Sequence, residues 1–257
     1  MSSSNQRPLL KAKKIPDMAI YFISDLHLEP AQKAITDGFL SFIDSLNDAE
    51  ALYILGDFFE VWMGDDYSND YIELINQTLR KCAAKGTKIY FMHGNRDFLI
   101  GQAWCKNTNC ELLEESKLIT LGDESILLMH GDSLCTDDID YMKARIMLRN
   151  PQWQQQFLAQ SIPERIEFAK QARSESKESQ QGKSYDIMDV NQTAVDEALS
   201  SANCSTLIHG HTHRPNIHNW NFEGQERIRY VLGDWGDKGW YIKWQENKDL
   251  ILESFDL

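Results

Sequence analysis

Five short apolar runs recur along the chain, and each stops at a polar segment rich in Asp, His and Gly. The runs are Ala19–Ile23, Ala51–Leu55, Lys88–Met92, Ser125–Met129 and Ser205–Ile208. Their length and their Ile, Leu, Tyr and Phe content predict buried strands. Between the first three, apolar residues recur at helical steps. Thr36–Leu46 carries Phe39, Leu40, Ile43 and Leu46, with Thr36 as its N-cap; Ser68–Lys85 carries Ile72, Ile75 and Leu79, with Gly86 just past its end. This alternation predicts a parallel sheet with crossover helices. Leu118–Leu121, Gly122-Asp123-Glu124 and Ser125–Met129 predict a hairpin.

From Asp137 to Asn203 no strand run occurs. Trp153 and Phe157, then Ile162 and Ile166, stand at helical spacing, Pro151 and Pro163 mark helix starts, and the polar Ser174–Ser184 reads as a loop. Strands resume at Leu207, Arg227–Leu232, Trp240–Trp244 and Leu250–Phe255. The expected organisation is an α/β domain over 18–136 and 204–257, a helical insertion over 137–203, and a disordered tail over 1–17.

Bulk composition changes this picture in three ways. At 257 residues with 42% hydrophobic content, the chain is long enough for a full core and ordinary for a soluble protein. No apolar stretch nears the ~20 residues that span a bilayer, and the start lacks the apolar segment of a secretory signal. Cys82, Cys105, Cys110, Cys135 and Cys204 are odd in number and form no Cys-x-x-Cys pair, so reduced thiols in a cytoplasm are expected. Cys135, although close to His130, is expected to be a small buried apolar residue. The net charge of −13 argues against binding a nucleic-acid backbone. Between Tyr141 and Ser184, however, eight basic residues stand against four acidic ones, which points to one small anionic ligand or a membrane surface.

The chemistry lies where the runs end: Asp25-Leu-His27, Gly56-Asp57, Gly94-Asn95-Arg96-Asp97, His130-Gly131-Asp132 and Gly210-His211-Thr212-His213. In open α/β sheets, sites assemble at that edge. A lone His or Asp there usually caps a turn, but five groups in one chain indicate a shared site. Asp25, His27, Asp57, Asn95, His130, His211 and His213 form an oxygen and nitrogen donor set without thiols, which suits Mn²⁺, Fe²⁺ or Zn²⁺. With Asp57 shared, two ions would each take four protein ligands, the arrangement that activates water and clamps a phosphorus centre. Glu60 and Asp97 are expected to support ligands, and Asp132 to orient His130 or cap a turn. Asp65-Asp66 reads as a solvated loop, His93 as a satisfied core or supporting residue, and His218 as a surface residue. On spacing alone, Trp153, Phe157, Ile162, Ile166 and Phe168 are helix core.

The five strand-end groups resemble the signature of the calcineurin-like metallophosphoesterases. Ser24-Asp-Leu-His-Leu28, Tyr53-Ile-Leu-Gly-Asp57, His93-Gly-Asn-Arg-Asp-Phe98, Met129-His-Gly-Asp132, Leu134-Cys-Thr-Asp-Asp138, Ile187-Met-Asp-Val-Asn-Gln192 and Ile208-His-Gly-His-Thr-His-Arg-Pro215 resemble more closely one branch of that family, the UDP-2,3-diacylglucosamine pyrophosphatases of lipid A biosynthesis. This likeness runs from Ala19 to the C-terminus. It implies a sandwich of two β-sheets flanked by helices, with an inserted helical cap that shelters two acyl chains. It implies two Mn²⁺, one held by Asp25, His27, Asp57 and His213, the other by Asp57, Asn95, His130 and His211.

The implied reaction is hydrolysis of UDP-2,3-diacylglucosamine to UMP and 2,3-diacylglucosamine 1-phosphate, by a metal-bridging hydroxide attacking the α-phosphorus. Asp57, Asn95, Arg96, His130 and His211 would be catalytic. Asn95, Arg96, Asp138, Ser176, Lys183 and His211 would contact substrate, with Gln180 standing where the family has Asn. The basic face of the cap would rest on the anionic inner membrane, cytoplasmic side, with no obligate protein partner. Relatives that act on phosphate esters commonly carry His where Arg96 stands. A diphosphate releases a phosphate, which needs little protonation, so a permanent cation serves better than an acid there. Rival readings are a phosphoesterase for a nucleotide or phosphoprotein, and a binding module that has lost catalysis. The apolar, basic insertion argues against the first, and the complete ligand set against the second.

Overall fold

The protein is described by a computed structural model covering residues 18–180, 187–246 and 249–257, with side chains for all of these but 175–180. Its elements run β1 (Ala19–Ile23), α1 (Lys33–Ser45), β2 (Ala49–Ile54), α2 (Asp70–Ala84), β3 (Lys88–Phe91), α3 (Gln102–Thr108), β4 (Cys110–Leu112), β5 (Ser116–Leu121) and β6 (Glu124–Met129). Four helices follow: α4 (Ile139–Leu148), α5 (Pro151–Leu158), α6 (Ile162–Gln180) and α7 (Gln192–Ala202). The chain ends with β7 (Thr206–His209), β8 (Asn216–Phe222), β9 (Gln225–Val231), β10 (Lys238–Gln245) and β11 (Ile251–Asp256).

The strands form two sheets, ordered β11-β10-β1-β2-β3-β4 and β5-β6-β7-β9-β8. β1 to β4 are parallel, as are β6, β7 and β9, and antiparallel strands lie at the edges. The expected two-sheet sandwich is observed. Each central strand is buried on both faces, which is why its sequence is a continuous apolar run. Along β1 the faces alternate: Tyr21 and Ile23 join Phe39, Ile75 and Trp104 beneath α1–α3, whereas Phe22 joins Leu128, Ile208 and Leu232 between the sheets. There Tyr53 stacks on Phe22 at 5.1 Å and on Tyr90 at 4.6 Å, a cross-strand aromatic ladder.

Some local expectations are corrected. α1 begins one turn before Thr36, whose hydroxyl donates to the Gln32 carbonyl from inside the helix, so Thr36 is not the N-cap. Asn69 caps α2 by accepting from Ile72 N at 2.8 Å. The polar stretch from Ser174 continues α6 to Gln180, because no Gly or Pro occurs before Gly182 to stop a helix. The helical stretch between Asp137 and Asn203 also divides. α7 packs Val195 and Leu199 on Leu127 and Leu207 of the second sheet, whereas α4–α6 surround a cavity.

Candidate metal centre

β1, β2 and β3 end side by side in one sheet, and β6 and β7 in the other, so all five polar groups meet at one edge of the sandwich. Backbone bonds knit the loops: Asp25 N donates to Gly56 O at 3.1 Å, His27 N to Asp57 O at 2.9 Å, and Gly210 N to His130 O at 2.9 Å. Asp25, His27, Asp57, His211 and His213 all have positive φ, between 50° and 66°. A left-handed residue with a Cβ costs about 1–2 kcal/mol, although Asp and His tolerate the region better than most. Gly94 and Gly210 permit the closest approaches. A Cβ on Gly94 would collide with Asp57, and one on Gly210 with Asp25 and Ser24.

Two groups of donor atoms result, one of Asp25, His27 and His213, the other of Asp57, His130 and His211. In the first, His27 Nε2 lies 3.2 Å from His213 Nε2 and 3.9 Å from Asp57 Oδ2, and His213 Nε2 lies 3.4 Å from Asp25 Oδ1. In the second, His130 Nε2 lies 3.6 Å from Asp57 Oδ1, and Asn95 Oδ1 lies 3.0 Å from His130 Nε2 and 2.8 Å from His211 Nδ1. Asp57 thus turns one oxygen to each group, and all seven residues singled out in the sequence come together. The donors fit a pair of divalent cations. Asp25 Oδ1 is buried and makes no hydrogen bond among the described residues. Burial would raise the Asp25 carboxyl, but His213, His130 and His27 hold it below the usual carboxylate range. Burial, then the charge of His130, pulls His211 down to about 4, which keeps a lone pair free for an ion.

A second layer holds these donors in place. Asp97, fully buried, accepts from Gly94 N at 2.9 Å, Phe58 N at 2.8 Å and Asp57 N at 3.3 Å, and so clamps two of the loops. Burial, then the charge of Asp57, pushes its carboxyl up to about 6. Asp97→Ala would strand these buried N–H groups at about 1–3 kcal/mol each. Thermal unfolding should show a fall in Tm of more than about 10 °C, with Asp97→Asn milder.

His130 Nδ1 is fixed by the Leu55 carbonyl at 2.8 Å, and His27 Nδ1 lies 3.0 Å from Glu60. Asp132 neither orients His130 nor caps a turn: it accepts from Tyr141 Oη at 2.7 Å and Arg145 Nε at 2.8 Å, anchoring α4. Asp65 is not a solvated residue, because it caps α3 through Gly101 N and Trp104 N, both at 2.9 Å; Asp66 pairs with Arg165. His93 Nε2 meets Ile100 O at 2.6 Å, and Cys135 is buried outside both donor groups. Two residues were missed. Asp234 lies 3.5 Å from His213 Nδ1, and its Gly-Asp dipeptide after an apolar run was the available signal, as at Gly56-Asp57. His209, fully buried, contacts Gly210 O at 2.8 Å and Arg229 at 3.3 Å, behind the second group.

Beside the centre opens a cavity of about 500 Å³ between the sandwich and α4–α6. Trp62, Phe98, Trp153, Phe157 and Phe168 give it an aromatic wall, and Asn95, Arg96 and Asp138 line its inner end. Arg96 N donates to Asp57 Oδ1 at 2.8 Å, and Arg96 Nε lies 4.0 Å from Asp57 Oδ2. Of the other expected substrate contacts, His211 belongs to the donor groups; the Ser176 and Gln180 side chains and the whole of Lys183 lie outside the described residues.

The basic character of the insertion has an internal explanation that the charge count could not supply. Arg145 binds Asp132, Arg149 donates to Gly94 O at 3.0 Å, Arg165 binds Asp66, and Arg173 pairs with Glu60. These four arginines tie the helices to the sandwich. The outward face of α4 is instead apolar, with Ile139 59% and Ile146 70% exposed on either side of Lys143. No helix among the described residues is long and apolar enough to cross a membrane.

Two sheets whose edges deliver Asp, His and Asn to a paired-ion geometry define a metal-dependent phosphoesterase fold. The calcineurin-like phosphoesterase family model matches residues 18–215, and the chain belongs to that family. The chain is 45% identical over 240 residues to the UDP-2,3-diacylglucosamine hydrolase of Chromohalobacter salexigens, a match covering 93% of this chain and 98% of that protein. It is 48% identical over 233 residues to the UDP-2,3-diacylglucosamine hydrolase of Pseudomonas aeruginosa, covering 90% of this chain and 96% of that protein.

Proposed function

We propose that this chain hydrolyses the diphosphate of UDP-2,3-diacylglucosamine, giving UMP and 2,3-diacylglucosamine 1-phosphate. The observation that carries this reading is that the aromatic cavity and the donor groups share Asn95. A lipid seated along the cavity would thus have its phosphates at the ions. Asp25, His27, Asp57 and His213 would hold one ion, and Asp57, Asn95, His130 and His211 the other, with Mn²⁺ the ion implied by the family likeness. Such a pair supplies an activated water at neutral pH and neutralises charge at phosphorus.

The chain's own residues do the rest. Asn95 and Arg96 bind diphosphate oxygens, and Arg96 stabilises charge on the phosphate that leaves. The attack falls on the uridylyl phosphorus, and its bond to the bridging oxygen breaks. Trp153, Phe157 and Phe168 bury the acyl chains, so α4–α6 act as the cap over the site. His211, Asp138, Ser176, Gln180 and Lys183 are assigned to substrate on the family likeness. Ile139, Lys143 and Ile146 form a face that would rest on the anionic inner leaflet from the cytoplasmic side. The net charge of −13 argues against a nucleic-acid backbone as a partner.

The test is release of UMP from purified UDP-2,3-diacylglucosamine by the metal-stripped chain with Mn²⁺ added back. UMP should appear with Mn²⁺ and not without it. Hydrolysis of an aryl phosphate with no UMP would favour a phosphoesterase for another substrate. Metal binding with no hydrolysis of either would favour a binding module.

A further inference from the structure

The two donor groups differ in what stands behind them. In the first, each histidine has a carboxylate near its outer nitrogen, as an ion pair and not a hydrogen bond: Glu60 Oε2 is 3.0 Å from His27 Nδ1, and Asp234 Oδ2 is 3.5 Å from His213 Nδ1. Asp25 adds a charged donor of its own, and its Oδ1 has no hydrogen bond among the described residues. Arg173 pairs with Glu60, fixing that side chain and offsetting part of its charge.

In the second group, His130 turns its outer nitrogen to the neutral Leu55 carbonyl, and Asn95 supplies a neutral amide where the first group has Asp25. Of the other carboxylates near this group, Asp25 Oδ2 accepts from His211 N at 2.8 Å, and Asp132 is occupied by Tyr141 and Arg145, with Arg149 3.7 Å from it. Asp57 is common to both groups, whereas the Arg96 guanidinium approaches the Asp57 oxygen that faces His27 and so sets a positive charge against the first group, opposing Glu60 and Asp234.

A carboxylate behind a ligating histidine fixes its tautomer and raises its basicity, and losing one typically weakens an ion 10–100-fold. We infer that the two ion sites are unequal by construction: Glu60 and Asp234 are positioning residues that make the Asp25–His27–His213 site the tight one, filled before the Asn95–His130–His211 site. The inference rests on the two-ion reading proposed above.

The experiment is a Mn²⁺ titration of the metal-stripped full chain, following free Mn²⁺ by electron paramagnetic resonance, with no substrate present. The wild-type chain should bind two ions in steps separated at least about tenfold. Glu60→Gln and Asp234→Asn, both close in shape to the originals, should each weaken the tight step about 10–100-fold and move the weak step less than about threefold. The double variant should bring the steps together. Thermal melting of the ion-free variants separates this role from a structural one, which would lower ion-free Tm and weaken both steps alike. Two equal steps in the wild type, or variants that leave the tight step unmoved, would overturn the inference while leaving two ions bound. A wild-type stoichiometry below two would overturn the two-ion reading itself, and the ordering with it.

Discussion

Asp57→Ala is expected to lower kcat/KM for UMP release by at least about 10³-fold, roughly 4 kcal/mol of transition-state stabilisation. The same change should leave less than one tightly bound Mn²⁺ per chain at micromolar ion. Both effects follow from its place between the groups. Asp57 Oδ2 faces His27, and Asp57 Oδ1 faces His130 and accepts from Arg96 N. No other described side chain faces both groups in this way, so its loss removes a charged donor from each and frees the Arg96 loop at once. Kinetics and bound-metal analysis on the same preparation check the two effects together. A loss below about tenfold, with two ions still bound, would show that the groups do not share this carboxylate in function.

Arg96→Ala is expected to separate two substrates. Turnover of the diphosphate should fall about 10²–10³-fold, the usual size for removing a preorganised donor from a developing charge. Turnover of an activated aryl phosphate should fall only a few-fold, because its leaving group is already stable and no second phosphate needs holding. Arg96→Lys should recover a minor part, since an ammonium lacks the planar fork that binds two oxygens. The position supports this division of labour: Arg96 lines the cavity at its junction with the donors, and its Nε is buried without a hydrogen bond among the described residues. Equal losses on both substrates would sink the assignment to the diphosphate.

Much of this site was legible along the chain, for a physical reason. Parallel strands buried on both faces must be written as apolar runs, and the ligands follow those runs directly, so Asp25, Asp57, Asn95, His130 and His211 announce themselves by position. What stayed hidden lies in other kinds of information. β8 reads Asn-Ile-His-Asn-Trp-Asn-Phe, an edge strand whose polar positions mask its alternation. α3 and β4 are too short for periodicity to register. Asp66 and Asp132 looked local, yet their partners Arg165 and Arg145 stand 99 and 13 residues further on and are brought near by folding. For the same reason the excess of basic residues in the insertion pointed outward, to a ligand or a membrane, when four of the arginines turn inward to the sandwich.

The five left-handed residues at the strand ends bear on what the site costs the fold. Each would be easier to fold as glycine, and strain at five positions rivals a sizeable share of the margin that keeps an ordinary domain folded. That strain is offset in part where the side chain binds backbone, as Asp25 does at His211 N and Asp57 at Arg96 N. The turns that cost the fold most are thus the ones that carry the donors.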